Sequence, residues 1–237
     1  MILINSYGGA GTTVLIEQLR QSGVSLIFDG TDETKEAKIF KHFRMPVPSD
    51  CLGKRYENGK SMKITKAIYL YANPIDAIKT FYRKRQYQVD NEITQSGSSG
   101  SWVTLHCFNI AGNFKELSDE WNIEHYAAEL QDYLCLESHF CHWASAEKLR
   151  SSGHSGYQKA NYPIMYLKYE SLWENLEKVR SFLGLSEEFV DNFPPKRERQ
   201  NFDIDDECYN NLMKTYARLI DMQNSWPDCV ILNKGVS

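Results

Sequence analysis

The sequence predicts an α/β fold, a parallel β-sheet flanked by helices, in one domain spanning residues 1–237. Short apolar runs bounded by small residues or proline recur along the chain, as buried parallel strands do. Stretches with apolar residues at helical spacing separate them. The first strand, first helix and second strand follow one another through a glycine-rich turn, which is the order of a βαβ unit. A chain of 237 residues is long enough to bury a substantial core.

Met1 to Ser6 is an apolar run ending in small residues and is read as a buried strand. "TTVLIEQLRQSG" (12–23) carries Val14, Leu15 and Leu19 at helical spacing and stops at Gly23, a suitable residue just past a helix end. "VSLIFD" (24–29) is the second strand. Residues 30–63 are polar and mixed, with Pro46 and Pro48 marking a loop. "KAIYLYAN" (66–73) is the next buried strand, and "IDAIKTFYRKRQYQ" is a helix with Pro74 near its first turn. "NEITQSGSSGS" (91–101) is small and polar and is expected to be a mobile surface loop. From about Glu116 to Arg150 the pattern is that of two helices, interrupted by "SSGHSG" (151–156). "YPIMYLKYE" (162–170) is a strand and "SLWENLEKVRSFLGL" an amphipathic helix. "FPPKRERQNF" (193–202) is a basic loop, and Cys208 to Met222 is the last helix.

A net charge of −4 argues against general nucleic-acid binding and leaves room for a local basic pocket. No apolar run approaches the ~18 residues of a membrane span. "MILINSY" lacks the basic and apolar regions of a secretory signal, so a cytoplasmic protein is expected. Cys51, Cys107, Cys135, Cys141, Cys208 and Cys229 form no CxxC pair and no ligand-like spacing with histidine, which points to reduced thiols and no metal site.

"INSYGGAGTT" (4–13) is the stretch that carries most chemistry. At the carboxyl end of a strand, a glycine-rich turn directs backbone N–H groups outward, and the following helix dipole adds about half a positive charge. Gly8, Gly9 and Gly11 permit a tight turn, Ala10 is small, and Thr12 and Thr13 add hydroxyl donors. Thr12 stands where a Walker A motif has its lysine, so the loop is not one. A tight turn that holds no ligand is the alternative.

Three segments, "SYGGAGTT", "YANPIDAIKT" and "KYESL…FLGL", resemble in order and spacing those of the sulfotransferase family, which has a P-loop NTPase-like fold. There the first loop binds the 5′-phosphosulfate of 3′-phosphoadenosine-5′-phosphosulfate, and the second segment binds its 3′-phosphate. The resemblance implies transfer of a sulfuryl group from that co-substrate to a hydroxyl or amine on a small-molecule or glycan acceptor, with no metal required. Asn73, Pro74 and Asp76 match the second motif, and Thr80 stands for its serine. Asp76 is equally suited to capping its own helix. The family's loop lysine or arginine aligns with Gly9, and its 3′-phosphate arginine with Ala72. The loss matters because charge-assisted contacts to phosphate are the strong ones.

In sulfotransferases a basic loop before the last helix closes over the 3′-phosphate, which makes Lys196, Arg197 and Arg199 candidate substitutes. Arg83, Lys84 and Arg85, and Lys41, His42 and Arg44, are weaker ones. For the general base, "LCLESHFCHWAS" retains an H-x-x-x-W spacing like the family's helix histidine, with His139 and Trp143 one turn apart. His106, four residues after Trp102, is a weaker lookalike. Tyr169 and Glu170 are read as supporting the fold. Two rivals stay open: a family member that binds a nucleotide, another anion or a partner without catalysis, and a kinase on the related scaffold, disfavoured by the missing Walker lysine.

Overall fold

The computed structural model describes residues 1–24, 26, 28–29, 38–39, 46, 63–90, 122–129, 136–144, 160, 162–197 and 203–232. Strand β1 (Ile2–Asn5) leads through the glycine turn into α1 (Thr12–Gln21). A short antiparallel pair follows, β2 (Phe28–Asp29) with β3 (Lys38–Ile39). Then come β4 (Lys66–Tyr71), α2 (Pro74–Asp90), α3 (Ile123–Glu129), α4 (Leu136–Ala144) and β5 (Ile164–Lys168). Two 3₁₀ turns (Tyr169–Ser171 and Trp173–Asn175) precede α5 (Leu176–Leu183) and α6 (Glu188–Asp191). The described chain closes with α7 (Asp206–Asn224) and β6 (Cys229–Leu232).

The main sheet has the order β1-β4-β5-β6. β1, β4 and β5 are parallel, and β6 is antiparallel to β5. Leu26 adds a parallel bridge to Ile2 on the far side of β1. The chain is thus an α/β protein with a mostly parallel sheet, as its alternation of apolar runs and helical stretches predicts.

Side chains that alternate along each strand divide the core into two layers. Leu3, Ala67, Tyr69, Tyr71, Ile164 and Tyr166 face α2, α3, α4 and α7. Ile4, Ile68, Leu70, Met165 and Leu167 face α1 and α5. Both faces of the sheet are covered, which is why β4 reads as a continuous apolar run. The first layer is rich in tyrosine, and the hydroxyls reach main-chain acceptors: Tyr71 donates to Pro227 O at 3.2 Å and Tyr216 to Ala127 O at 3.0 Å. Burial pushes the Tyr69 and Tyr71 phenols up from their ordinary range.

Local sequence sets the helix ends. Gly23 (φ 73°) follows α1, with Gly23 N–H donating to Arg20 O and Val24 N–H to Leu19 O, the two bonds of a Schellman motif. Gly184 (φ 75°) ends α5 in the same way, through bonds to Ser181 O and Arg180 O. Asp205 caps α7 by accepting from Cys208 N–H at 2.7 Å.

Three sequence expectations need correction. The strand expected over 24–29 is, among described residues, the single bridge at Leu26 and the two-residue β2. The helix expected from Ser171 begins at Leu176, because the chain first makes two 3₁₀ turns, stabilised by Asn175 Nδ2–H donating to Ser171 O at 2.8 Å. β6 and the short α6 lie where the sequence reading placed no element. The region 116–150 contains two described helices, as expected. The loop expected over 91–101 lies outside the described residues.

Candidate functional site

The carboxyl ends of β1, β4 and β5 lie side by side, the place where open α/β sheets bind ligands. β1 delivers the glycine loop, β4 delivers Ala72 and Asn73, and β5 delivers Tyr169 and Glu170.

Gly8, Gly9 and Gly11 have φ of 92°, 63° and 70°, in the region that disfavours side chains. The space around Gly9 and Gly11 is equally restrictive. A Cβ on Gly9 would come within 2.7 Å of Ala77 Cα on α2. One on Gly11 would come within 2.0 Å of Tyr169 Cε2. The loop is therefore pressed between α2 and the end of β5. Gly8 N–H donates to Ser6 Oγ at 3.0 Å, whereas the amides from Gly9 to Thr12 have no acceptor among the described residues. Gly11 is the N-cap of α1 without a side-chain cap, and the first turn of α1 holds no acidic residue. Thr12 is buried and Thr13 exposed. A helix N-terminus of this kind favours a bound anion.

The start of α2 is different. Asn73 caps it, its Oδ1 accepting from Ile75 N–H at 2.9 Å, and Pro74 occupies the first position. Asp76 lies in the first turn, and Glu170 Oε1 accepts from Asn73 N–H at 3.2 Å. Carboxylates thus already meet the positive end of this helix. Thr80 Oγ1 donates back to Asp76 O at 2.9 Å along the helix. Ala72 is fully buried, and its carbonyl and amide both bond the Tyr7 hydroxyl.

The basic loop returns to this edge. Trp173 Nε1–H donates to Pro194 O at 2.7 Å, and Phe193 packs edge-on against Trp173 and Phe189. Lys196 Nζ lies over the Trp173 ring and donates to Glu170 O at 2.7 Å. Lys196 is thus brought to the carboxyl edge; Arg197 is exposed, and Arg199 lies outside the described residues. Arg83 is half-buried on α2. Lys41, His42, Arg44 and the side chains of Lys84 and Arg85 lie outside the described residues.

His139 sits on the buried face of α4 with 1% of its surface exposed. Its Nδ1 shares a hydrogen bond of 3.0 Å with the Tyr69 hydroxyl, its ring stacks on Tyr69, and Tyr7 meets it edge-on at 6.3 Å. The helical spacing of His139 and Trp143 does put both on one face, and that face is the core. A general base must come within ~3 Å of the proton it removes, directly or through one water. The Tyr7 ring, which directly precedes the glycine loop, stands between His139 and that loop. His106 lies outside the described residues.

Tyr169 and Glu170 make the structural contacts that their read role implies, packing on Gly11 and bonding Asn73. The pairing of Glu170 with α2 had no signal in sequence, because it joins residues 97 apart. Cys141, Cys208 and Cys229 are free thiols. Among the described residues no His, Cys, Asp and Glu cluster is arranged to hold a metal, and no helix is long and apolar enough to cross a membrane.

The position that the sulfotransferase resemblance pairs with a basic residue is closed. Gly9→Lys is expected to destabilise the protein by about 2 kcal/mol or more, from left-handed backbone strain of ~1–2 kcal/mol and displacement of α2. Thermal melting reads this as a loss of about 4 °C or more. A lysine variant as stable as its parent would show that α2 yields to it.

Comparison with models of known protein families, with curated proteins and with solved structures finds no match.

Proposed function

We propose that this chain is a sulfotransferase of P-loop NTPase-like fold. In this reading it moves a sulfuryl group from 3′-phosphoadenosine-5′-phosphosulfate to a hydroxyl or amine of a small-molecule or glycan acceptor. The observation that carries the reading is the N-terminus of α1: three glycines with positive φ, amides from Gly9 to Thr12 with no acceptor among the described residues, and no acidic residue in the first turn. The 5′-phosphosulfate lies against those amides. The acceptor oxygen or nitrogen attacks sulfur in line and bonds to it, the bond from sulfur to the bridging oxygen breaks, the nucleotide leaves with the electron pair, and the acceptor's proton is released to solvent. The loop amides and the α1 dipole stabilise the charge that develops on that oxygen. Lys196 is the described cation best placed to approach the nucleotide. In this reading Asn73 and Thr80 border the second phosphate position, and Arg197 and Arg199 follow Lys196 in the basic loop.

A second reading rests on a specific observation: Glu170 and Asp76 meet the start of α2, where the resemblance places the 3′-phosphate. Together with the closed Gly9 position, this favours a protein that holds one anion or nucleotide without transferring its sulfuryl group. Losing one preorganised donor to a transition-state oxyanion costs roughly 3 kcal/mol, enough to slow the chemistry by about a hundredfold.

Titration with the desulfonated nucleotide, 3′-phosphoadenosine-5′-phosphate, tests both. At a hundred times its Kd a native-state ligand adds about 2.7 kcal/mol, which for a domain of this size raises Tm by about 5–10 °C. No shift at millimolar ligand removes the sulfotransferase reading. A shift without sulfuryl transfer to any of a panel of phenols, amines and glycans supports the second. A shift produced by ATP with magnesium alone would point to phosphoryl chemistry instead.

A further inference from the structure

The Tyr7 hydroxyl is the hub of a buried network that joins the two loops of the candidate site. Tyr7 follows β1 and directly precedes the glycine loop, and Ala72 follows β4 and directly precedes the Asn73 cap of α2. The hydroxyl donates to Ala72 O, accepts from Ala72 N–H at 3.1 Å and accepts from Gln223 Nε2–H at 3.1 Å. One donor and two lone pairs are all used. Tyr7 is fully buried, and Gln223, near the end of α7, is 3% exposed. Parallel strands are already tied by their own ladder, here Ile2↔Lys66 to Asn5↔Tyr69. The Tyr7 bond extends that tie beyond the last ladder pair, into the segment where the two chains diverge towards their helices.

We propose that Tyr7 is a positioning residue that fixes the distance between the α1 and α2 N-termini, with Gln223 holding its hydroxyl in place. This rests on the sulfotransferase reading, in which one nucleotide bridges both helix starts. A ligand that engages two sites at once gains from the second contact only while the spacing matches. A hydroxyl that holds the spacing therefore matters to a two-ended ligand more than to a one-ended one. A merely structural hydroxyl weakens both alike, through stability.

The test compares adenosine 3′,5′-bisphosphate with adenosine 5′-phosphate on the full chain, by calorimetric titration of the parent, Tyr7→Phe and Gln223→Met. The expected result for Tyr7→Phe is a loss of about tenfold in affinity for the bisphosphate against less than about twofold for the monophosphate. Gln223→Met is expected to shift the ratio in the same direction, and it carries the test should Tyr7→Phe fail to fold. Equal losses for both ligands, or no loss, overturn the proposal. Failure of the parent to bind the bisphosphate removes the underlying sulfotransferase reading with it, an outcome distinct from equal losses in a parent that does bind.

Discussion

Gly11→Ala is expected to destabilise the protein by about 2–5 kcal/mol. Two effects add. The residue has φ 70°, where a β-carbon costs roughly 1–2 kcal/mol. That carbon would also lie 2.0 Å from Tyr169 Cε2, forcing the ring off the N-terminus of α1, and such overpacking costs typically ~1–3 kcal/mol. Stabilities of whole domains are only about 5–15 kcal/mol, so the loss is a large share of such a margin. Urea denaturation measures the loss, and a double-mutant cycle with Tyr169→Ala separates its parts. With the ring removed, the steric share disappears and the backbone share remains. A Gly11→Ala variant within ~0.5 kcal/mol of its parent would mean that Tyr169 does not sit on this glycine.

Trp143→Ala is expected to cost about 3–5 kcal/mol, the range for emptying a buried indole site. Trp143 is fully buried on α4 and stacks on Tyr69 at 5.1 Å and 9°. Tyr69 in turn holds His139 through its hydroxyl and stacks against its ring. The truncation leaves a cavity beneath β4 that its aromatic neighbours cannot fill without leaving those contacts. Urea denaturation again gives the number, and a loss under ~1 kcal/mol would show that α4 is not docked on this face of the sheet.

How much of this was legible before the structure depends on the range of each interaction. β1, α1, β4, α2, β5 and α7 are governed by nearby residues: apolar runs, Gly23, the Asn73-Pro74 start and the Asp205 cap. They stand close to where the periodicity puts them. β6 was missed because four half-buried residues at a sheet edge carry little pattern, and their strand character comes from pairing with β5. The glycine loop was recognisable as a tight turn, since three glycines in four residues demand an explanation from backbone geometry alone. What surrounds it was not. Ala77, Tyr169 and Glu170 reach the loop and the start of α2 from distant parts of the chain, and no local periodicity encodes such meetings. His139 shows the same limit from the other side: helical spacing assigned it a face, but only packing reveals that this face is the core.

The bond from Gln223 to Tyr7 spans 216 residues. Contacts so distant in sequence cannot form until the chain between them is ordered, and their loop-closure entropy is repaid late. The hydrogen-bond set of Tyr7, although this residue stands near the start of the sequence, is thus completed only when α7 docks. A chain in which α7 has not yet docked leaves the Tyr7 hydroxyl without its Gln223 donor, so the surroundings of the residue that leads into the glycine turn report on the docking of α7.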